Sequence, residues 1–255
     1  MTIEVLNIAF YRFVELQNID VLRVQMRALC SELHLKGTVI LSPEGINGFL
    51  AGESTRVRQF QMRIGELGPF EKLDFKESSS TFKPFTRLAI KLKKEIIPFG
   101  VPGILASRDA APSISPVELK KWYDEGRQFI ALDTRNRYEI EKGTFEGAMD
   151  LELKHFRHFP EKLAQLPLEM RQKPVVMFCT GGIRCEKASA YALQAGFKEV
   201  YQLQGGILRY FENCQNAHFN GDCFVFDERG AVDSGLVPRP QPQATGSEFD
   251  SWKTS

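Results

Sequence analysis

The sequence predicts a two-domain α/β protein: an N-terminal α+β sandwich followed by a doubly wound, parallel-sheet domain. Three observations predict it. The first hundred residues alternate strand and helix periodicities in the order β-α-β-β-α-β. A Pro- and Gly-rich stretch follows at Pro98–Gly103. Beyond it, short and mostly apolar strands alternate with helices. At 255 residues the chain accommodates two domains of roughly 100–130 residues, each with its own core.

Glu4 to Phe13 is apolar and aromatic enough for a strand. Ile19 to Leu35 has helical spacing through Val21, Leu22, Val24, Leu29 and Leu33, and Gly37 is expected to stop it. Thr38–Leu41 is a short β-rich run, Pro43-Glu-Gly45 turns the chain, and Gly48–Ala51 returns as a hairpin partner. Ser54 to Leu67 is a second amphipathic helix closed by Gly68-Pro69, and Leu73–Glu77 and Leu88–Leu92 are further strands. This order suggests a ferredoxin-like sandwich of helices on an antiparallel sheet. In the second half, Ser115-Pro116-Val-Glu118 opens a helix with a capping serine and a proline at the first helical position, and Gly126 closes it. Phe129–Asp133, Val175–Phe178 and Val200–Leu203 read as strands buried on both faces. The expected division is 1–97 for the first domain, 98–112 for a linker, 113–220 for the second domain and 221–255 for a C-terminal extension. The tail from Pro238, rich in Pro, Gln, Ser and Gly, is expected to be disordered.

Composition narrows the function classes. The chain is 43% hydrophobic and 25% charged with a net charge of +1, so neither a membrane protein nor a strongly basic binder is indicated, although a basic face fits a balanced total. No apolar run approaches the length of a membrane span. No secretory leader pattern opens the sequence, and five cysteines form a poor disulfide framework. A cytoplasmic compartment with free thiols is expected.

The chemistry concentrates in Val175-Val-Met-Phe-Cys179-Thr180-Gly181-Gly182-Ile183-Arg184-Cys185-Glu-Lys. A buried strand ends at Phe178, a helix begins near Cys185, and Cys179 heads the tight loop between them. Two glycines let backbone N–H groups wrap the sulfur, the following helix adds its positive end, and Arg184 adds a fixed charge. All three favour the thiolate, which is the nucleophile. Cysteine phosphatases space their loop Cys-x5-Arg to hold a tetrahedral phosphate. Here the spacing is Cys-x4-Arg, a tighter loop suited to a sulfur atom carried on the cysteine.

This stretch therefore resembles the rhodanese superfamily. Leu132-Asp133-Thr-Arg135 follows the first strand, as does that superfamily's Asp-x-Arg element. Thr144-Phe145-Glu-Gly147-Ala148 looks like its His-Ile-x-Gly-Ala segment with Thr in place of His. Leu203-Gln-Gly205-Gly206-Ile207 matches its late Gly-Gly turn. Asp133 and Arg135 read as a structural pair that pins a loop. Cys185 reads either as a partner that resolves an oxidised Cys179 or as core.

The resemblance extends further. Ser42-Pro-Glu-Gly-Ile-Asn-Gly48, the cysteine loop, and Gly221-Asp-Cys-Phe-Val-Phe-Asp-Glu-Arg229 together look like the bacterial tRNA uridine(34) hydroxylase family, over roughly residues 1–235. That resemblance implies an acylphosphatase-like first domain, a rhodanese second domain, and hydroxylation of C5 of the wobble uridine with Cys179 as the catalytic residue. The alternative is a rhodanese-type sulfurtransferase with a cysteine persulfide intermediate. Many members of the family carry a Cys-rich tail that has no counterpart after Cys223, so no tail-borne metal site is expected. Cys214, His218 and Cys223 offer three ligands at unpaired spacing, and no metal is expected there either. No flavin or nicotinamide fingerprint occurs, so no cofactor is expected, and the oxidant is expected to be a small molecule or supplied by a partner.

The implied partner is tRNA, at its anticodon region, which calls for a basic surface. Lys76 to Lys94 gathers six basic residues with Phe82 and Phe85 between them, and Lys91, Lys93 and Lys94 are the expected phosphate contacts. Lys154-His155-Phe-Arg157-His158-Phe159 is the second candidate, in which His155, Arg157 and His158 would meet an unpaired base. The Ser42–Gly48 segment reads either as a plain hairpin turn or as an interdomain or substrate-facing loop.

Overall fold

The structure, a computed structural model, describes residues 5–239. The expected disorder of the tail falls mainly on 240–255, outside the described residues. The first domain comprises β1 (Val5–Phe13), α1 (Ile19–Glu32), β2 (Lys36–Ser42), β3 (Gly45–Glu53), α2 (Ser54–Arg63), β4 (Lys76–Ser80) and β5 (Leu88–Leu92). Its sheet has the order β4-β1-β3-β2-β5. Four of these strands pair antiparallel in the ferredoxin-like manner. β5 adds to the edge parallel to β2, so the sheet is mixed rather than purely antiparallel.

Strand alternation gives this sheet two different faces. Leu6, Ile8 and Phe10 of β1 join Ile46 and Leu50 of β3 in a core under the helices. Asn7 and Tyr11 of β1, with Asn47 and Phe49 of β3, occupy the opposite face. That face meets the second domain through Tyr11–Glu186 and Phe49–Phe226.

Three sequence expectations need correction here. α1 turns Leu22, Met26, Leu29 and Cys30 inward, whereas Val21 and Val24 are exposed, because only the former set keeps a constant helical face. The helix ends at Glu32, with His34 left-handed, so Gly37 lies inside β2 and does not stop it. β4 starts at Lys76 and not Leu73, since Leu73 and Phe75 pack against the helical core before the strand begins.

The second domain runs through α3 (Ala106–Asp109), β6 (Ser113–Ile114), α4 (Pro116–Asp124), β7 (Ile130–Asp133), α5 (Arg137–Ile140), β8 (Gly143–Phe145), β9 (Met149–Asp150), α6 (Phe159–Ala164), β10 (Val175–Phe178), α7 (Ile183–Gln194), β11 (Val200–Leu203), α8 (Gly206–Cys214), β12 (Phe219–Gly221), β13 (Cys223–Phe224) and β14 (Ala231–Val232). The sheet β6-β11-β10-β7-β9 is parallel throughout. Val175 and Met177 of β10 pack with α6 and α7 on one face, while Val176 and Phe178 pack with α4 and α8 on the other. This is the doubly wound arrangement that wholly apolar strands require. The Ser115 side chain caps α4 by accepting from the Glu118 N–H at 3.1 Å.

The 98–112 connection is no bare spacer. Phe99 is buried among Phe156, Phe159 and Tyr191, and the Ala111 N–H donates to Ser189 Oγ of α7 at 3.0 Å. After β12 the chain straps back across both domains. Val225 and Val232 enter the second core, and Arg229 donates to Ser78 Oγ of β4 at 2.6 Å.

Candidate active site

Cys179 stands at the carboxyl end of the central strand β10, where parallel sheets place their reactive groups. Thr180, Gly181 and Gly182 carry the chain to α7, which starts at Ile183, so Arg184 and Cys185 belong to its first turn rather than to the loop. Gly182 adopts φ +101°, a conformation costly for other residues. That turn points the Gly182 N–H at Cys179 Sγ, 3.1 Å away. The loop is also held from outside. Cys179 and Thr180 carbonyls accept from the N–H groups of Ile207 and Leu208 at 3.0 and 3.1 Å. Gly206 allows this approach, since a Cβ there would lie 2.5 Å from the Cys179 carbonyl oxygen. The late Gly-Gly turn is thus a buttress for the cysteine loop.

Burial works against ionisation of Cys179, which is fully covered. The Cys185 thiol, the charge of Arg184 and the N–H groups of Arg184 and Gly182 outweigh it and hold the Cys179 thiol well below the ordinary thiol range. Burial, and then the hydrogen bond and charge of Cys179, push Cys185 the other way, so it stays a thiol and serves as donor. Thr134 Oγ1 lies 3.7 Å from Cys185 Sγ and fixes it from behind. Cys30 and Cys223 are raised to about 12 by burial, which leaves them inert.

Arg184 does not project toward a substrate. Its guanidinium makes a bidentate pair with Glu139 of α5, at 2.5 and 2.7 Å, and lies over the Phe226 ring. The fixed charge expected of Arg184 is fixed by this pair, and Arg184 acts on Cys179 through the field of a compensated ion pair. Asp133 and Arg135 pair at 2.6 Å with both side chains wholly buried. Arg135 also donates to the Gly143 carbonyl, and Thr144 Oγ1 donates to Asp133 at 2.8 Å. The threonine in the histidine's usual place therefore completes a structural knot.

The three motifs meet at the domain interface. Lys187, two residues past Cys185 and only 2% exposed, pairs with Glu44 of the Ser42–Gly48 segment at 2.9 Å and with Glu95 at 2.7 Å. Asn47 donates to the Ile96 carbonyl, and Glu44 accepts from the Ile96 N–H. The Ser42–Gly48 segment is thus an interdomain clamp as well as a turn. The third motif supplies Phe226 between Phe49 and Arg184. Over the loop lies Tyr11 of β1, whose hydroxyl would sit 2.8 Å from a Cβ on Gly182 and which donates to Glu186 at 3.2 Å.

Other sequence candidates lie elsewhere. Lys93 and Lys94 are exposed just after β5, and Lys91 is half-buried on it. Lys76 is no part of a solvated patch: it is buried, pairs with Asp74 at 3.1 Å and lies over the Tyr11 ring. In the 154–159 segment Phe156 and Phe159 are core, while Arg157 is exposed and His155 and His158 are half-buried, their rings 5.6 Å apart. His218 is engaged by Asp124 at 2.8 Å and Glu146 at 3.1 Å. Among the described residues no group of three or more His, Cys, Asp or Glu is placed to hold a metal ion. Sequence reasoning missed Tyr11, Glu139 and Glu186. For Glu139 a signal existed in Asn136-x-x-Glu139, the capping-box spacing that opens α5, where Glu139 accepts from the Asn136 N–H.

A cysteine loop on a doubly wound sheet, covered by an α+β sandwich, defines a rhodanese-domain protein with an added acylphosphatase-like domain. Residues 5–96 match the family model described as the UPF0176 acylphosphatase like domain, and residues 115–213 match the rhodanese-like domain. The chain is 45% identical over 240 residues to the tRNA uridine(34) hydroxylase of Cupriavidus necator, covering 92% of this chain and 85% of that protein. It is 46% identical over 239 residues to the protein of the same name from Bordetella petrii, covering 92% and 95%. The chain belongs to the tRNA uridine(34) hydroxylase family.

Proposed function

We propose that this protein hydroxylates C5 of the wobble uridine in the anticodon of tRNA, with Cys179 as the catalytic residue, in the cytoplasm. The observation that carries the catalytic role is the placement of Cys179 at the carboxyl end of β10 with the Gly182 N–H aimed at its sulfur and the Arg184 charge nearby, which favours the thiolate. The substrate follows from the names of relatives that span nearly the whole chain. Uracil is electrophilic at C6. Addition of the Cys179 sulfur there forms a C–S bond and moves electron density to C5. C5 then takes an oxygen atom from a small electrophilic donor, whose leaving fragment departs with the bonding pair. Loss of the C5 proton expels the thiolate and restores the ring. The net change is a two-electron oxidation of the base, so one oxidant is consumed per turnover. Arg184 is committed to Glu139 and is not placed as a phosphate clamp, which argues against phosphatase chemistry at this loop. No helix among the described residues is long and apolar enough to cross a membrane.

The test is nucleoside mass spectrometry of tRNA from a strain lacking the protein, complemented with the wild-type chain or with Cys179→Ser. 5-Hydroxyuridine is expected with the first and absent with the second. Restoration by Cys179→Ser would end the catalytic role. Absence with both, together with thiosulfate sulfurtransfer by the purified protein, would favour the sulfurtransferase reading.

A further inference from the structure

Between the two domains lies an open cavity of about 410 Å³, which Tyr11 and Glu186 border next to the cysteine loop. It lies at the carboxyl end of β11, where Leu203, Gln204 and Gly205 contribute to its wall, and the first domain closes it with Tyr11, Arg12 and the segment from Lys72 to Lys76. Its volume falls in the range of small-ligand sites, which runs from about 300 to 1,000 Å³, and suits one nucleotide. Lys72 and Arg108 on its wall are exposed and Arg12 is half-buried, so these three cations stand toward the mouth, whereas Gln202 and Lys76, the latter paired with the exposed Asp74, lie deeper. The three cations come from three separate segments of the chain, and they converge on one opening. Arg12 spends one N–H on the Pro69 carbonyl, and Arg108 pairs with its neighbour Asp109, so each keeps donors to offer.

The inner wall stands next to the cysteine loop, no residue of which lines the cavity. Cys179 is fully covered, and Tyr11 and Glu186 belong both to the cavity and to the surroundings of the loop: Tyr11 rests against Gly182, and Glu186 is one residue past Cys185 on α7. Their 3.2 Å hydrogen bond joins the first domain to the second at the boundary between cavity and thiolate. The remaining groups fit a pyrimidine nucleotide of a single strand. Gln204 offers its amide to a base edge, Gln202 keeps its carbonyl oxygen while its amide donates to the Ala111 carbonyl, and the Tyr11 ring, with the Lys76 ammonium over one face, borders the cavity.

We propose that this interdomain cavity is the subsite for one unpaired uridine nucleotide of an RNA strand, with Arg12, Lys72 and Arg108 taking the flanking phosphates and Tyr11 forming the wall through which the base meets Cys179. The proposal rests on the reading of the protein as a tRNA uridine hydroxylase. It assigns the substrate to residues other than those that sequence clustering suggests, Lys91–Lys94 and His155–His158, neither of which lines the cavity.

The experiment uses the full chain and an anticodon stem–loop RNA with 5-iodouridine at the wobble position. Irradiation of the complex is expected to cross-link the base to the peptide that contains Tyr11 and Phe13. In parallel, Arg12→Gln, Lys72→Gln and Arg108→Gln are combined and RNA affinity is measured against salt. The Kd of the triple variant is expected to rise at least tenfold. The slope of log affinity against log salt is expected to fall by roughly 0.7 for each phosphate no longer neutralised. Cross-links confined to other peptides, together with wild-type affinity and slope in the triple variant, would overturn the assignment. Hydroxylation of the unmodified stem–loop by the wild-type protein is scored separately. Its absence counts against the proposed function, whereas cavity cross-links with no hydroxylation would uphold the subsite alone.

Discussion

Glu139 and Arg184 form a bidentate, fully desolvated ion pair behind the reactive cysteine, with Oε–N separations of 2.5 and 2.7 Å. The pair joins α5 to the first turn of α7 and fixes where the positive charge stands relative to Cys179. The charge therefore acts on the sulfur from a set position and is not free to follow a substrate.

Removing the carboxylate alone should be expensive for the fold. Glu139→Ala leaves a buried guanidinium without its partner, and breaking such pairs typically costs about 3–5 kcal/mol. Urea unfolding is expected to show a loss in that range. Arg184 paired only with solvent that reaches the site would give a loss under about 1 kcal/mol, and that result would refute the buried-pair account.

The thiolate makes a pH prediction whose sign is set by its stabilisation. An ordinary thiol has a pKa of about 8.5 and loses roughly tenfold in thiolate for each pH unit below it. Cys214 is half-exposed, and burial raises it further, so its alkylation by iodoacetamide should fall steeply from about pH 8 to about pH 6. The depressed Cys179 remains ionised across that window, so its rate should stay nearly flat, although its burial slows labelling at every pH. Peptide mapping across pH checks this. A Cys179 rate that drops in parallel with Cys214 would show that the loop does not stabilise the anion.

Lys187 tests the interdomain clamp. With one ammonium between Glu44 and Glu95, Lys187→Met abandons two carboxylates at the interface. A stability loss of about 2–4 kcal/mol is expected. Faster proteolytic cleavage near Glu95–Gly103 should accompany it, because that segment is held through the same hydrogen bonds. Proteolysis at the wild-type rate would mean that the domains are joined without this clamp.

Much of this arrangement is legible along the chain, for physical reasons that differ from part to part. β10 and the Ser115 cap follow from local rules, namely an apolar run buried on both faces and a hydroxyl placed to meet an N–H. The reactive cysteine is legible because its loop is one contiguous segment. Tyr11 is not, since it lies 171 residues from Gly182 in sequence and only the docking of the two domains brings them together. Strand alternation does show that Tyr11 faces away from the Phe10 core, but not what it faces. Lys76 reads as surface charge by residue type, and its burial beside Asp74 and the Tyr11 ring is again a product of the interface.

The lysines after β5 provide the counter-test for tRNA binding. Lys93 and Lys94 are exposed two and one residues before Glu95, which holds Lys187 of α7, so they flank the edge of the domain interface without lining the cavity. A tRNA body is far larger than one nucleotide, and phosphates beyond the anticodon loop need neutralising cations outside the cavity. Combining Lys91→Gln, Lys93→Gln and Lys94→Gln is expected to weaken tRNA binding and to lower the salt slope by roughly 0.7–0.9 for each phosphate left without its cation. The turnover of bound tRNA should remain at the wild-type rate, because none of the three lines the cavity beside Cys179. Binding titrations at several salt concentrations and single-turnover hydroxylation separate these effects. An unchanged slope would show that this strand edge is merely solvated, and a fall in the single-turnover rate would place these lysines nearer the reaction than the fold does.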